Sequence, residues 1–233
     1  MSRKAALVIG GSRGIGAAIV RELSAKGYRV AYTYNNAPAP GVEAEGIQAD
    51  VRDAASVAAA FEKAVSLFGG LDCVVANAGI NVPGRPLAEF PAEDMRALVE
   101  TNIIGAFNVL QQASRHVRDN GTIIALTTSL VRHAVPGVGP YSATKAAVES
   151  MLRSLQKEVA GRGIRVNGIA PGPVDTDLFR SGKDEAAVQR SAAMSPFNRV
   201  GEPAEVAKVV AFIASEEASW VAGQIIQPNG GLV

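Results

Sequence analysis

Short apolar runs alternate with helix-like segments along this whole chain, and that alternation narrows its fold more than any other feature. The runs Ala5–Ile9, Arg29–Tyr34, Gly46–Ala49, Cys73–Ala76, Thr122–Leu126, Arg165–Ala170 and Gln224–Gln227 read as strands. Between them, Gly14–Lys26, Ala54–Phe68, Ala92–Arg118, Tyr141–Ala160 and Pro203–Ser215 have helical composition. Strands separated by helices pair in parallel, and strands this apolar fit burial under helices on both faces. The expected class is α/β, a doubly wound parallel sheet. A chain of 233 residues with no internal repeat and no low-complexity linker is expected to form one domain, 1–233.

Two connections break the pattern. The stretch from Tyr34 to Gly46 holds Pro38, Pro40, Gly41 and Gly46, so a loop or at most one helical turn is expected there. A longer irregular stretch, about residues 171–202, carries Pro171, Gly172, Pro173, Gly182, Pro196 and Gly201 around a short helix expected from Asp184 to Ala193. Loops at the carboxyl ends of strands hold the ligand site in such sheets, so this stretch is the natural substrate lid. Its Leu178, Phe179, Met194 and Phe197 point to an apolar pocket.

Composition excludes several classes of function. Hydrophobic residues make up 48% and charged residues 19%, with a net charge of +1 and no dense basic run, so neither nucleic acid nor an anionic membrane is an expected partner. The lone Cys73 forbids an intrachain disulfide and fits a reducing cytoplasm; it reads as core packing. With only His116 and His133 beside it, a structural zinc site is not expected, and no metal is assigned. The apolar run Ala5–Ile9 is too short for a signal-peptide core, and no stretch approaches a membrane span.

The first strand runs into Gly10-Gly11-Ser12-Arg13-Gly14-Ile15-Gly16, and an amphipathic helix follows with Ile15, Ile19 and Leu23 on one side. Glycines here permit a tight turn and a close backbone approach to a pyrophosphate, which the helix N-terminus attracts. A dinucleotide enzyme that uses NAD presents Asp or Glu to the ribose after the second strand. Here that stretch is Tyr32-Thr33-Tyr34-Asn35-Asn36, without an acid. Arg13 is placed to meet a 2′-phosphate, with Asn35 and Asn36 as further donors, so NADP(H) is expected over NAD(H). The bland alternative is a glycine turn with a solvated Arg13.

Tyr141 and Lys145 lie four apart in Tyr141-Ser142-Ala143-Thr144-Lys145. On a helix they share a face. A free phenol, with a pKa of about 10, exchanges protons poorly at neutral pH, and a nearby ammonium lowers that value. Joined to a nucleotide site, a tuned phenol implies proton transfer coupled to hydride transfer. Singly, either residue reads equally well as an ordinary helix position.

Taken together, these residues resemble the short-chain dehydrogenase/reductase family over essentially the whole chain. Gly10, Gly14 and Gly16 match its cofactor glycines, and Asp50-Val51 looks like its adenine-contacting pair. Asn77-Ala78-Gly79 matches its turn after the fourth strand, and Asn102 its catalytic asparagine. Tyr141 and Lys145 match its active-site pair, and Pro171-Gly172 its turn beside the nicotinamide. The same resemblance implies that Ser12, Ile15, Tyr34, Val174 and Thr176 line the cofactor. Within the family the chain looks most like 3-oxoacyl-carrier-protein reductases, including its ending Gly223–Gly231. The resemblance implies a Rossmann-like sheet of seven strands, no separate substrate domain, and a homotetramer built partly on the helices of Asn102 and Tyr141 and on the last strand.

Three positions depart from the family. Ile9 stands where a threonine usually braces the glycine loop, and Ala76 replaces the first residue of Asn-Asn-Ala-Gly. The catalytic serine normally lies thirteen residues before the tyrosine, which is Thr128 here; Ser129 lies twelve before. Register favours Thr128 and residue type favours Ser129. Adjacent residues on an extended segment point to opposite sides, so only one is expected to face the substrate.

The resemblance implies that NADPH reduces a ketone, with Tyr141 giving a proton to its oxygen and Thr128 or Ser129 hydrogen-bonding that oxygen. Lys145 lowers the Tyr141 pKa and holds the ribose, and Asn102 positions a water. A 3-oxoacyl thioester, on CoA or an acidic acyl carrier protein docked at Arg118 and Arg162, is the leading substrate. The rivals are a small free ketone, alcohol or sugar, and a cofactor-binding regulator without turnover.

Overall fold

A computed structural model describes residues 3–39 and 44–233. Its seven strands are β1 (Ala5–Ile9), β2 (Arg29–Tyr34), β3 (Glu45–Gln48), β4 (Leu71–Ala76), β5 (Val117–Leu126), β6 (Arg165–Ile169) and β7 (Ile225–Ile226). They form one sheet in the order β3-β2-β1-β4-β5-β6-β7, and every neighbouring pair is parallel. Strand order reverses between β1 and β4, which opens a crevice at their carboxyl ends.

Both faces of the sheet are covered. In β1, Leu7 and Ile9 enter the core shared with Phe61, Val109 and Leu152, and Ala6 and Val8 enter the core shared with Ile19, Leu23 and Val210. That split follows from the two-residue period of a strand. The first core lies under α2 (Ala54–Phe68), α4 (Gly105–His116) and α5 (Gly139–Val159); the second lies under α1 (Gly14–Ala25) and α8 (Pro203–Ala214). Fully buried side chains such as Leu7, Ile19 and Phe61 each contribute roughly 1.5–3 kcal/mol relative to exposure.

The helix expected over Ala92–Arg118 is divided. It runs as α3 (Ala92–Leu98), a π-helical segment (Val99–Ile104) and α4, and Val117 and Arg118 already belong to β5. The widened turn carries Asn102. Just after it, Gly105 lies so close to Val51 that a Cβ would come within 2.7 Å of that side chain. β5 begins five residues before the expected Thr122, because Val117 pairs with Leu71 at the foot of β4. Its polar start, Arg118-Asp119-Asn120, hides the strand from a reading of apolar runs.

Residues 35–39 contain no helix, and Ala39 is buried with its N–H donating to the Tyr32 hydroxyl at 3.0 Å. Positions 40–43 of that expected loop lie outside the described residues. The excursion after β6 is closed at its neck: Asp175 N–H donates to Gly201 O and Gly201 N–H to Pro173 O, both at 2.8 Å. It holds α6 (Asp177–Arg180), unanticipated from sequence and capped by the Thr176 hydroxyl, and α7 (Glu185–Ala193), capped by Asp184. Among the described residues no helix is long and apolar enough to cross a membrane.

Candidate active site

The glycine loop leaves β1 at the crevice and is held from both neighbouring strands. Gly10 N–H donates to Thr33 Oγ1 at 2.9 Å, and Asn77 Nδ2 donates to Gly10 O at 2.7 Å. Gly11 N–H donates to Thr33 O at 2.9 Å. The brace that Ile9 lacks is therefore supplied by Thr33 on β2, a fully buried threonine that family reasoning passed over. Gly10 has φ +80°, and a Cβ there would come within 2.8 Å of the Ala78 backbone, so only glycine fits.

Helix α1 begins at Gly14 with Arg13 as N-cap. No side chain caps it, and no acidic residue lies in its first turn. By contrast Asp53, Thr176 and Asp184 cap α2, α6 and α7 with side-chain oxygens. The amino end of α1 therefore keeps donors and a positive dipole end for an anion, flanked by half-buried Ser12 and Ile15. Thr176 reaches this loop from the neck of the excursion; its methyl lies 3.2 Å from where a Gly14 Cβ would sit. Arg13, Asn35 and Asn36 are exposed on the rim that the Gly11–Thr33 bond closes, with Tyr34 half-buried below.

Further along the crevice, Asp50 accepts from the Arg52 guanidinium, which holds its carboxyl below the usual carboxylate range. Val51 is buried and its carbonyl accepts from Asn108 Nδ2 at 2.9 Å. The Pro171-Gly172 turn rests on the end of the chain: Gly172 N–H donates to Pro228 O at 3.2 Å, and a Cβ on Gly172 would meet Asn229 at 3.0 Å. Val174, also buried, bridges to Gly201.

Asn102 comes from the π-helical segment, and Tyr141 and Lys145 come from α5. Asn102 is 1% exposed; its Oδ1 accepts from Ile80 N–H at 2.9 Å and its Nδ2 donates to Ile80 O at 2.9 Å and to Thr144 Oγ1 at 3.2 Å. Lys145 Nζ donates to Leu126 O at 3.0 Å. Asn102 Oδ1 and Lys145 Nζ each lie 3.2 Å from the place a Gly79 Cβ would take, so the two polar groups face one gap that glycine keeps open.

One expectation is corrected here. The net shift of Tyr141 is upward rather than downward, because burial outweighs the neighbouring ammonium. Burial pushes Tyr141 up to about 12 and Lys145 down to about 8. The ammonium is drawn to the Leu126 carbonyl, and desolvation governs both groups. A water-sized apolar cavity lies against Lys145, and Ile9 and Ala76, two of the positions that depart from the family, help to line it.

The two hydroxyl candidates separate cleanly. Ser129 is 1% exposed and donates its Oγ–H to Ala170 O at 2.8 Å. Thr128 is 8% exposed, and its Oγ1 accepts from Leu130 N–H at 3.3 Å, which leaves its own proton uncommitted. Ser129 turns its hydroxyl to the Ala170 carbonyl, so Thr128, the residue before it on extended backbone, turns the other way.

The carrier-protein docking expected at Arg118 and Arg162 is not supported. Arg118 binds Gly69 O and Asp72, and Arg162 binds Asp119, Ser114 O and Val117 O. Arg118 lies at the amino end of β5 and Arg162 just before that of β6, the end of the sheet away from the crevice, and both are bound within the chain.

A family model described as Enoyl-(Acyl carrier protein) reductase matches residues 9–233. A short-chain type dehydrogenase/reductase from Picea abies is 39% identical, over 99% of this chain and 92% of that one. A 3-oxoacyl-[acyl-carrier-protein] reductase FabG from Staphylococcus aureus is 37% identical, over 98% of each. Among solved structures, a short chain dehydrogenase from Burkholderia cenocepacia in complex with NADP superposes with a TM-score of 0.91 at 34% identity, covering 98% of this chain and 97% of that one.

Proposed function

This chain belongs to the short-chain dehydrogenase/reductase family, and on that premise we propose that it reduces a ketone to a secondary alcohol with NADPH, 3-oxoacyl thioesters being the leading substrate class. The observation that carries the reading is the convergence of Lys145 and Asn102 on the gap at Gly79, with Tyr141 one turn before Lys145 on α5, beside the uncapped start of α1. The FabG relative supports the thioester, and the NADP complex of the Burkholderia structure supports the cofactor.

The residues present fit a dinucleotide. The Cβ-free turn at Gly10 and the free N–H groups at Gly14, Ile15 and Gly16 suit a pyrophosphate. Arg13, with no acid among Tyr32–Asn36, favours the 2′-phosphate of NADP(H). When bound, the nicotinamide supplies the hydride. Tyr141, protonated throughout the neutral range, gives its proton to the carbonyl oxygen. Thr128 donates its uncommitted O–H to the same oxygen and holds it where negative charge develops. Lys145, as the ammonium, stabilises the phenolate left on Tyr141. Asn102 and Lys145 border the gap over Gly79, through which a water reloads the proton.

Residues 171–202 serve as the lid, pivoting at the Asp175–Gly201 neck. Exposed Ile104 and Phe107 around α4, and exposed Trp220 near the last strand, support a homotetramer.

The test follows NADPH oxidation by the purified protein with acetoacetyl-CoA, beside NADH and a small free ketone such as cyclohexanone. Turnover of the thioester, selective for NADPH, is expected. Activity confined to the free ketone moves the substrate class and keeps the mechanism. Cofactor binding with no turnover of any carbonyl compound overturns the enzymatic reading, and equal affinity for NADH overturns the role of Arg13.

A further inference from the structure

Glu149 is a fully buried carboxylate that the reaction above does not use. It lies on α5 two turns beyond Tyr141 and one beyond Lys145, and it is 2% exposed. Three donors converge on it. Thr127 Oγ1 donates to Oε1 at 3.1 Å, Arg132 Nη1 donates to Oε1 at 3.0 Å, and Arg132 Nη2 donates to Oε2 at 3.0 Å.

Those donors bracket the hydroxyl that matters. Thr127 immediately precedes Thr128, and Arg132 closes the 3-10 turn (Ser129–Val131) that follows it, its N–H donating to Ser129 O at 2.9 Å. The helix that carries Tyr141 and Lys145 thus grips the loop that carries Thr128 on both sides. The carboxylate is buried but the guanidinium is partly exposed, and an ion pair open to solvent on one side contributes little to stability. Its planar, two-pronged geometry fixes position instead.

We infer that Glu149 is a positioning residue: through Thr127 and Arg132 it sets the distance and direction of the Thr128 hydroxyl relative to the Tyr141 phenol. The inference rests on the assignment of Thr128 above. A misplacement of about 1 Å at reacting groups costs on the order of a hundredfold in rate. Loss of the clamp therefore lowers kcat while leaving the cofactor loop, braced separately by Thr33 and Asn77, undisturbed.

The experiment is a double-mutant cycle on NADPH-dependent reduction of acetoacetyl-CoA, or of cyclohexanone if the wild type reduces only that. Glu149→Gln keeps the shape and turns one acceptor oxygen into a donor. Its kcat is expected to fall about ten- to a hundredfold, with NADPH affinity, read by fluorescence titration, within about twofold. Thr128→Ala alone is expected to fall about a hundredfold. Adding Glu149→Gln to it is expected to cost less than about threefold more, because residues acting as one unit are not additive. If Glu149→Gln does not fold, Thr127→Val replaces it in the cycle, with an expected loss of about threefold that vanishes in the Thr128→Ala background. Fully additive losses, or a lowered melting temperature with unchanged kcat, overturn the clamp and leave the hydroxyl assignment standing. Wild-type turnover by Thr128→Ala refutes the hydroxyl assignment itself, and the clamp falls with it.

Discussion

The two ends of the sheet treat their polar groups differently. At the amino ends of the strands, three of the five helices that arrive, α2, α4 and α8, are closed by side-chain donors. Arg118 meets Gly69 O at the end of α2, and Arg162 meets Ser114 O and Val117 O at the end of α4. Tyr28 and Arg165 meet Ala214 O and Ser215 O at the end of α8, Tyr28 at 2.9 Å and Arg165 at 3.0 Å. Cationic donors at helix C-termini satisfy open carbonyls and oppose the dipole. At the carboxyl ends, α1 begins without a cap, and Tyr141 and Lys145 are drawn from their ordinary pKa values by desolvation alone. One end has spent its bonding capacity inside the chain, and the other holds it for a ligand.

The comparison breaks most sharply at Tyr141. Tyr141→Phe removes the proton donor and keeps the ring, so turnover is expected to fall by at least about a thousandfold, with NADPH affinity unchanged in the same titration. Wild-type turnover would falsify the proton-donor role. Next in size are the two hydroxyls. Thr128→Ala is expected to lose about a hundredfold in kcat. Ser129→Ala strands the Ala170 carbonyl and is expected to lower the melting temperature more than it lowers kcat. The reverse pattern would hand the catalytic role to Ser129.

How much of this was legible in sequence depended on whether the signal was local. All seven strands were readable, because buried parallel strands are short apolar runs with turn residues at their ends. The glycine loop, Asn77, Asn102, Tyr141 and Lys145 were readable because each sits in a local pattern. The brace at Thr33 was not. A threonine in a strand looks like any β-former, and only the register of β2 against β1 brings its hydroxyl to Gly10. Glu149 was hidden for the same reason, since its donors lie 17 and 22 residues away. The start of β5 was hidden by Arg118-Asp119-Asn120, polar residues of which Arg118 meets Gly69 O and Asp72, and Asp119 meets Arg162.

A pH series sharpens the contrast through Lys145. Its pKa, pushed down to about 8 by burial, implies that reductive turnover falls as pH rises through about 8, because the ammonium that stabilises the Tyr141 phenolate is lost. Stability moves the other way. Between about 8 and the unfolded value near 10.4, the native chain has released a proton that the unfolded chain still holds, so Lys145 favours the native state more as pH rises. Above about 10 the sign reverses: the unfolded chain loses its tyrosine proton before Tyr141, held up to about 12, does. Activity and the Lys145 contribution to stability are therefore expected to slope oppositely just above pH 8, before buried Cys73, its thiol pushed up to about 12, begins to favour the unfolded state above about 8.5. Lys145→Met should abolish the rise in stability there, and a rise that persists would assign it to other groups.

The smallest effect is expected at the opposite end of the sheet, and it bears directly on the partner. Arg162→Ala removes an exposed ion pair with Asp119, worth about 0–1 kcal/mol. It also strands two carbonyls at the end of α4, one of them on buried Val117, for about 1–3 kcal/mol. The melting temperature should fall, while kcat on acetoacetyl-CoA stays within about twofold, because nothing at the amino ends of the strands touches the crevice. The same variant should also reduce a 3-oxoacyl group on an acyl carrier protein as well as the parent does, since a guanidinium already bound to Asp119, Ser114 O and Val117 O has little to offer an acidic partner. A selective rise in KM for the carrier-protein thioester, with the CoA thioester unaffected, would show that this end also keeps charge in reserve for a ligand and would erase the distinction between the two.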